Sequence, residues 1–182
     1  MDALVAHHRA QDVFAGVLAN VASGQFGAPT PCSEWTVGDL IEHVLGGNER
    51  VGQWAGDHEQ PPVRPDDLAE AHRAGASAAQ EVFARPDGMT ALFELPFGQV
   101  PGSVFIGMRS TDVLTHAWDL ATATGQPTDL DPELATQLLA AARERVQPDF
   151  RGPGKPFGEE QACPPDRSPA DQLAAFLGRK VQ

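Results

Sequence analysis

The chain predicts an all-α protein, a bundle of long amphipathic helices around one core. Apolar residues recur at helical spacing over several long stretches. Proline and glycine punctuate the chain between those stretches, where helices must stop. One segment, near 90–102, lacks the helical period and reads instead as a short extended hairpin. With 182 residues, 41% hydrophobic and 21% charged, the chain has material for one domain with its own core, expected to occupy residues 1–182.

Taken in order, the first stretch (about 2–22) places Leu4, Val5, Val13, Phe14, Val17, Leu18 and Val21 at helical spacing and ends near Ser23-Gly24. A loop with Pro29 and Pro31 follows. Thr36 is then a natural N-cap with Asp39 three residues on, a carboxylate version of the capping box. The stripe Val37, Leu40, Ile41, Val44, Leu45 and Val51 continues to Trp54 and Ala55 as one helix. Pro61, Pro62 and Pro65 mark the next connection. Residues 66–85, rich in alanine with Leu68, Val82 and Phe83, read as a third helix. After the hairpin segment a long helix begins near Ser103 and runs to Thr124, stopped by Gly125. Asp131-Pro132-Glu133 opens another, with proline in its favoured first-turn position, and it ends before Pro148. Residues 148–169 are rich in proline and glycine and are expected to wrap the surface without regular structure. Ser168-Pro169 starts a small C-terminal helix with Leu173, Phe176 and Leu177. There is no internal repeat and no low-complexity run. Long helices with short loops imply a helix bundle.

Net charge narrows the partners. At −12 the chain offers no basic patch to neutralise phosphates, which argues against nucleic acid and against anionic membrane surfaces. Its apolar runs are too short for a membrane span, and its start is not a basic-then-apolar signal, so the cytoplasm is the expected location. Cys32 and Cys163 are far apart, without Cys-x-x-Cys spacing or a nucleophile motif, and are expected to be free thiols. Two lysines against eleven arginines, with abundant alanine, glycine and proline, reflect a high-GC genome and not a function.

The chemistry concentrates in Arg109-Ser-Thr-Asp-Val-Leu-Thr-His-Ala-Trp-Asp-Leu120. Asp112 and His116 are four residues apart, so both project from one side of a helix. His43 lies on the amphipathic helix that follows Thr36. If the two helices pack side by side, His43, Asp112 and His116 form a His/His/carboxylate set with open coordination positions, which suits metal-assisted chemistry better than structural support. On a helical wheel Asp112 and His116 flank the stripe of Ile106, Val113, Ala117, Leu120 and Ala121. His43 flanks its own stripe, in line with Gly47 and Trp54. Gly46 and Gly47 would leave room there for a ligand. Each residue also has an ordinary reading: Asp112 as half of a surface ion pair with Arg109, His116 as a core-edge histidine bonded to a carbonyl. His7 and His8 can supply one further ligand between them, whereas His58 and His72 read as solvent-exposed. Trp35, Trp54 and Trp118 read as core or cleft-lining aromatics.

The segments Thr30-Pro-Cys-Ser-Glu-Trp-Thr-Val-Gly-Asp-Leu-Ile-Glu-His-Val44 and Leu114-Thr-His-Ala-Trp-Asp-Leu-Ala121 resemble the actinobacterial branch of the DinB-like superfamily. They are most similar to the metal-binding domain of mycothiol-dependent maleylpyruvate isomerase. Pro96-Phe-Gly-Gln-Val-Pro-Gly102 and the closing Leu173-Ala-Ala-Phe-Leu-Gly-Arg179 fit the same pattern. The resemblance implies a four-helix bundle holding a divalent metal, zinc first and nickel as the alternative, on His43, Asp112 and His116. Where the isomerase has glutamate, this chain has Asp112, one methylene shorter. The isomerase also carries a further C-terminal domain, so what carries over best is general: a metal activates a small thiol, mycothiol, which attacks an electrophilic substrate. Arg109 would then hold a carboxylate of thiol or substrate. The alternative is a non-catalytic metal- or small-molecule-binding protein with a stress or regulatory role. Pairing through an exposed helix face would make a homodimer.

Overall fold

Local caps decide where the helices begin. In the computed structural model, which describes residues 1–32, 35–57, 60 and 63–181, helix α1 (Ala3–Leu18) starts behind Asp2, whose carboxylate accepts from the amides of Leu4 and Val5. Helix α2 (Val37–Glu49) starts at Thr36, and Thr36 and Asp39 form the expected reciprocal capping box. A one-turn helix α3 (Val51–Trp54) follows. Asp67 caps α4 (Leu68–Phe83) through the amide of Glu70. Strand β1 (Leu92–Leu95) pairs antiparallel with β2 (Gly98–Pro101), with Leu92 opposite Pro101 and Leu95 opposite Gly98. The hairpin leads directly into α5 (Gly102–Thr124), which ends where Gly125 turns left-handed at φ 71°. Asp131 caps α6 (Pro132–Arg145) and Ser168 caps α7 (Pro169–Phe176), each followed by proline at the start of the helix.

Two boundaries differ from the sequence pattern. α1 stops at Leu18, and residues 19–22, which the pattern assigned to its last turn, are a turn and irregular chain that lead into a short 3-10 turn at Ser23–Gln25. The stripe expected to run unbroken to Ala55 is divided at Arg50, whose ψ of −9° interrupts the helix. Backbone bonds on both sides, Arg50 N–H to Gly46 C=O and Trp54 N–H to Arg50 C=O, keep α3 nearly in line, so Val51 remains fully buried. Residues 148–168 are irregular apart from a 3-10 turn at Pro148–Phe150 and a lone bridge between Arg151 and Phe157, and α7 begins at Pro169. His58, Pro61 and Pro62 lie outside the described residues.

Helices α1, α2, α4 and α5 form a four-helix bundle: α1 packs against α4 and α5, and α2 packs against the same two helices. The core between them holds Phe14, Leu40, Ile41, Leu45, Leu114 and Leu120, all 1% exposed or less. Burying side chains of this size contributes roughly 2–3 kcal/mol each before entropy is counted. Helices α6 and α7 pack on one another and on α5. A smaller cluster of Phe83, Phe93 and Phe105, with ring centroids 5.1–5.5 Å apart, seats the hairpin on the bundle. Among the described residues no helix is long and apolar enough to cross a membrane.

One polar chain runs through the bundle interior. His7 of α1 bonds Gln80 of α4, Gln11 exchanges two bonds with Asn48 of α2, and His72 of α4 also reaches Gln11. His72 is therefore not solvent-exposed, as its polar sequence surroundings suggested, but 2% exposed and stacked on Phe14. The small residues Ala71, Gly75 and Ala79 bury that face of α4 without marking it as hydrophobic.

Candidate metal centre

Packing of α2 against α5 brings His43, Asp112 and His116 together, from positions separated by about seventy residues. His43 Nε2 lies 3.5 Å from Asp112 Oδ1 and 3.4 Å from Oδ2, and His116 Nε2 lies 3.3 Å from Oδ1. These separations exceed an ordinary N–H···O hydrogen bond. They match the edge of a tetrahedron with metal–ligand bonds of about 2.0–2.1 Å, an edge of roughly 3.3 Å. Both histidines turn the same nitrogen toward one carboxylate, and their rings are T-shaped with centroids 4.9 Å apart. Two imidazole nitrogens and a carboxylate oxygen are the donors that a divalent ion such as zinc takes at an open site. The His43 and Asp112 side chains remain about one-third exposed, so the cluster opens to solvent, whereas that of His116 is 6% exposed.

Surrounding groups hold these donors in place. Trp35, just ahead of α2, lies against both rings, with centroids 4.6 Å from His43 and 5.5 Å from His116. Asp119, fully buried one turn along α5, accepts from His116 Nδ1 at 3.0 Å. That bond places the proton of a neutral ring on Nδ1 and leaves the Nε2 lone pair facing Asp112. Arg109 donates from Nη1 to Asp112 Oδ2 at 2.7 Å and from Nη2 to Asn48 Oδ1 at 2.9 Å, which joins the site to the interior polar chain. This is not the surface ion pair suggested by spacing alone, because Arg109 is only 6% exposed. Its guanidinium fills the space left by Gly47, where an added Cβ would lie 2.6 Å from Nη1. The room expected there for a ligand is taken by Arg109 itself. The buried Nε of Arg109 has no hydrogen-bond partner among the described residues.

Electrostatics follow from this arrangement. Burial opposes charge on His116, but Asp112 and Asp119 outweigh it and raise its pKa to about 9. Burial likewise disfavours the Asp112 anion, yet His116, His43 and Arg109 hold its carboxyl well below the usual carboxylate range. His7 and His72, away from the site, are pushed the other way, to about 4, chiefly by burial. Neither His7 nor His8 joins the cluster: His7 is engaged by Gln80 and Gln11, and His8 pairs with Asp12 on the surface.

Sequence reasoning missed three neighbours. Cys32 is a free thiol, as expected, but its sulfur approaches His116 and Asp119 closely enough for the three to form a second group of metal-ligand type. Asp119 stood inside the His-Ala-Trp-Asp segment without an assigned task. Arg179, 60 residues further on, grips Asp119 from the C-terminal segment.

Fold and site together define a helical bundle that carries an open cluster of two imidazoles and a carboxylate. The chain belongs to the mycothiol maleylpyruvate isomerase N-terminal domain family, whose model matches residues 7–121, a span containing all three donors. Uncharacterised proteins from two strains of Mycobacterium tuberculosis are 68% identical to it over 182 residues, the whole of each chain. The crystal structure of the mycothiol-dependent maleylpyruvate isomerase aligns with a TM-score of 0.58 at 23% identity, covering 76% of this chain and 67% of that one. A mutant of the same isomerase aligns with a TM-score of 0.58 at 22% identity. At these identities the structural likeness is one of fold.

Proposed function

We propose that this chain binds one divalent metal ion on His43, Asp112 and His116 and uses it to activate a low-molecular-weight thiol, mycothiol, in a transferase or isomerase reaction on an electrophilic substrate. The observation that carries this reading is the convergence of three donor groups with the spacing of ligands around an ion. Family membership supports the choice of thiol, since the isomerase related in fold is mycothiol-dependent. Zinc suits the donor set best, and nickel is the alternative. A divalent cation held by His43, Asp112 and His116 would supply Lewis acidity that lowers the pKa of a thiol brought to it.

The chain's own residues do the positioning. Arg109, anchored by Asn48, keeps Asp112 ionised and aimed at the cluster. Asp119 keeps the His116 Nδ1 proton away from the open side. Trp35 lies against both imidazoles and braces their rings. A thiolate activated in this way would add reversibly to an activated double bond or displace a leaving group, so the protein would need to supply no nucleophile of its own. Arg109 keeps both of its bonded arms on Asp112 and Asn48, so its role in this reading is to hold Asp112. Maleylpyruvate itself is not assigned as substrate, because the alignment leaves a third of the isomerase without a counterpart. The cytoplasm, where small thiols are kept reduced, is the compartment this chemistry requires.

The test is turnover by zinc-loaded protein with mycothiol and a panel of electrophiles, including cis-unsaturated diacids and alkyl halides. Thiol-dependent conversion that disappears in His116→Ala and on chelation is the expected result. Stoichiometric metal without any thiol-dependent turnover would establish the non-catalytic binding protein instead.

A further inference from the structure

We infer that Arg179, near the C-terminal end of the chain, is a positioning residue for His116, so that the C-terminal segment completes the metal centre. The inference rests on the metal reading of His43, Asp112 and His116 given above. Asp119 is the link. It has no exposed surface, and a buried carboxylate is costly unless its charge is paired. Arg179 pairs it at both oxygens, with Nε 3.2 Å from Oδ1 and Nη2 3.0 Å from Oδ2. The oxygen that takes Nη2 is the one that accepts from His116 Nδ1. The guanidinium fork thus fixes the plane of the Asp119 carboxylate, and Asp119 fixes the rotation of the His116 ring that aims Nε2 at Asp112.

The backbone that delivers Arg179 is held at several points. Gly178 turns the chain at φ 99° and lies so close to Gly158 that an added Cβ would come within 2.6 Å of the Gly158 Cα. The amides of Gly178 and Arg179 close the end of α7 on the carbonyls of Ala175 and Ala174. Arg151 clamps the same corner, donating to the carbonyl of Phe176 at 2.7 Å and of Gly158 at 3.0 Å. The third arm of Arg179, Nη1, donates to the carbonyl of Leu177. Proline- and glycine-rich residues 148–169 therefore do more than cover surface, because they set the corner from which Arg179 reaches α5.

The competing explanation is that Arg179 merely fastens the tail to α5. A fastener of that kind already exists one residue earlier: Trp118 Nε1 donates to Asp171 of α7 at 2.7 Å and, among the described residues, makes no hydrogen bond or ring stack with His43, Asp112 or His116. Trp118→Phe is therefore the matched control. The experiment measures cobalt(II) and zinc affinity, with the cobalt absorption spectrum, in the full chain. It compares the unaltered protein with Arg179→Ala, Arg179→Lys, Gly178→Ala and Trp118→Phe, and records the melting temperature of each metal-free form.

Arg179→Ala is expected to bind metal about 10–100-fold more weakly with an altered cobalt spectrum. Arg179→Lys should recover part of the loss, since lysine keeps the charge but not the fork. Gly178→Ala should weaken binding although Arg179 is retained, and it keeps the test open if Arg179→Ala does not fold. Trp118→Phe should lower the melting temperature and leave affinity within about twofold of the unaltered protein. Affinity unchanged in Arg179→Ala, or lost equally in Trp118→Phe, would overturn the inference while leaving the metal site standing. Absence of metal binding in the unaltered protein would overturn both.

Discussion

Raising the pH of the metal-free protein from about 6 to about 9.5 should remove one proton from His116, with two opposite consequences. The His116 side chain is 6% exposed and lies 3.3 Å from Asp112 and 3.0 Å from Asp119. Burial works against its charge, but the two carboxylates prevail, and the folded-state pKa rises to about 9 from an ordinary value of 6.5. Because the folded value is the higher one, the extra stability is fully present below 6.5 and is lost as pH climbs to about 9. A shift of that size is worth roughly 3 kcal/mol. The same proton must leave before Nε2 can bind a metal ion. Apparent metal affinity should therefore be about 50-fold weaker near pH 7 than near pH 9, rising about tenfold per unit well below the pKa and levelling off above it. Urea unfolding of chelator-treated protein reads the first effect. Zinc titration calorimetry in buffers of different ionisation enthalpy reads the second, as close to one proton released per ion near neutral pH. In His116→Ala the loss of stability between pH of about 6 and about 9.5 should vanish, and metal binding should be lost with it. A metal affinity that is flat across this range, with no proton released, would refute the reasoning, because His116 would then be neither protonated nor displaced.

Two further outcomes follow from the packing. Gly47→Ala places a Cβ 2.6–2.8 Å from the Arg109 guanidinium and should push it off Asp112, costing about 1–3 kcal/mol and weakening metal binding; urea unfolding and zinc titration check both. His7 and His72 have folded pKa values lowered to about 4 by burial, so their contribution is intact above 6.5 and lost as pH falls toward 4. Urea midpoints should therefore drop between pH of about 7 and about 4.5, with a shallower slope in His72→Gln, and equal slopes would contradict the burial of His72.

The bundle and the meeting of His43, Asp112 and His116 were legible because both rest on short-range geometry. An i,i+4 pair such as Asp112 and His116 must share a side of any helix, and the flank position of His43 followed from the stripe beside it. What helps those donors is long-range and left weaker marks. Arg179 lies 60 residues from Asp119, and only the fold brings them together. Gly178 just before it, in the Leu-Gly-Arg ending, was the available sign of a special backbone position. Gly47 signalled close approach, but not that the approaching group would be Arg109. His72 was misread because it shares its buried face with Ala71, Gly75 and Ala79, whose small side chains bury without a strong hydrophobic signature. The break at Arg50 was hidden for a different reason: α3 continues the stripe of α2, so the pattern stays intact although the dihedral angles do not.

Metal content tests the central claim most directly. Elemental analysis of the purified, untagged protein, beside a His43→Ala/His116→Ala double variant, should find one equivalent of zinc or nickel per chain in the first and none in the second. A protein that takes up neither ion after incubation, or a double variant that loads as well as the original, would contradict the assignment of His43, Asp112 and His116 as a metal centre.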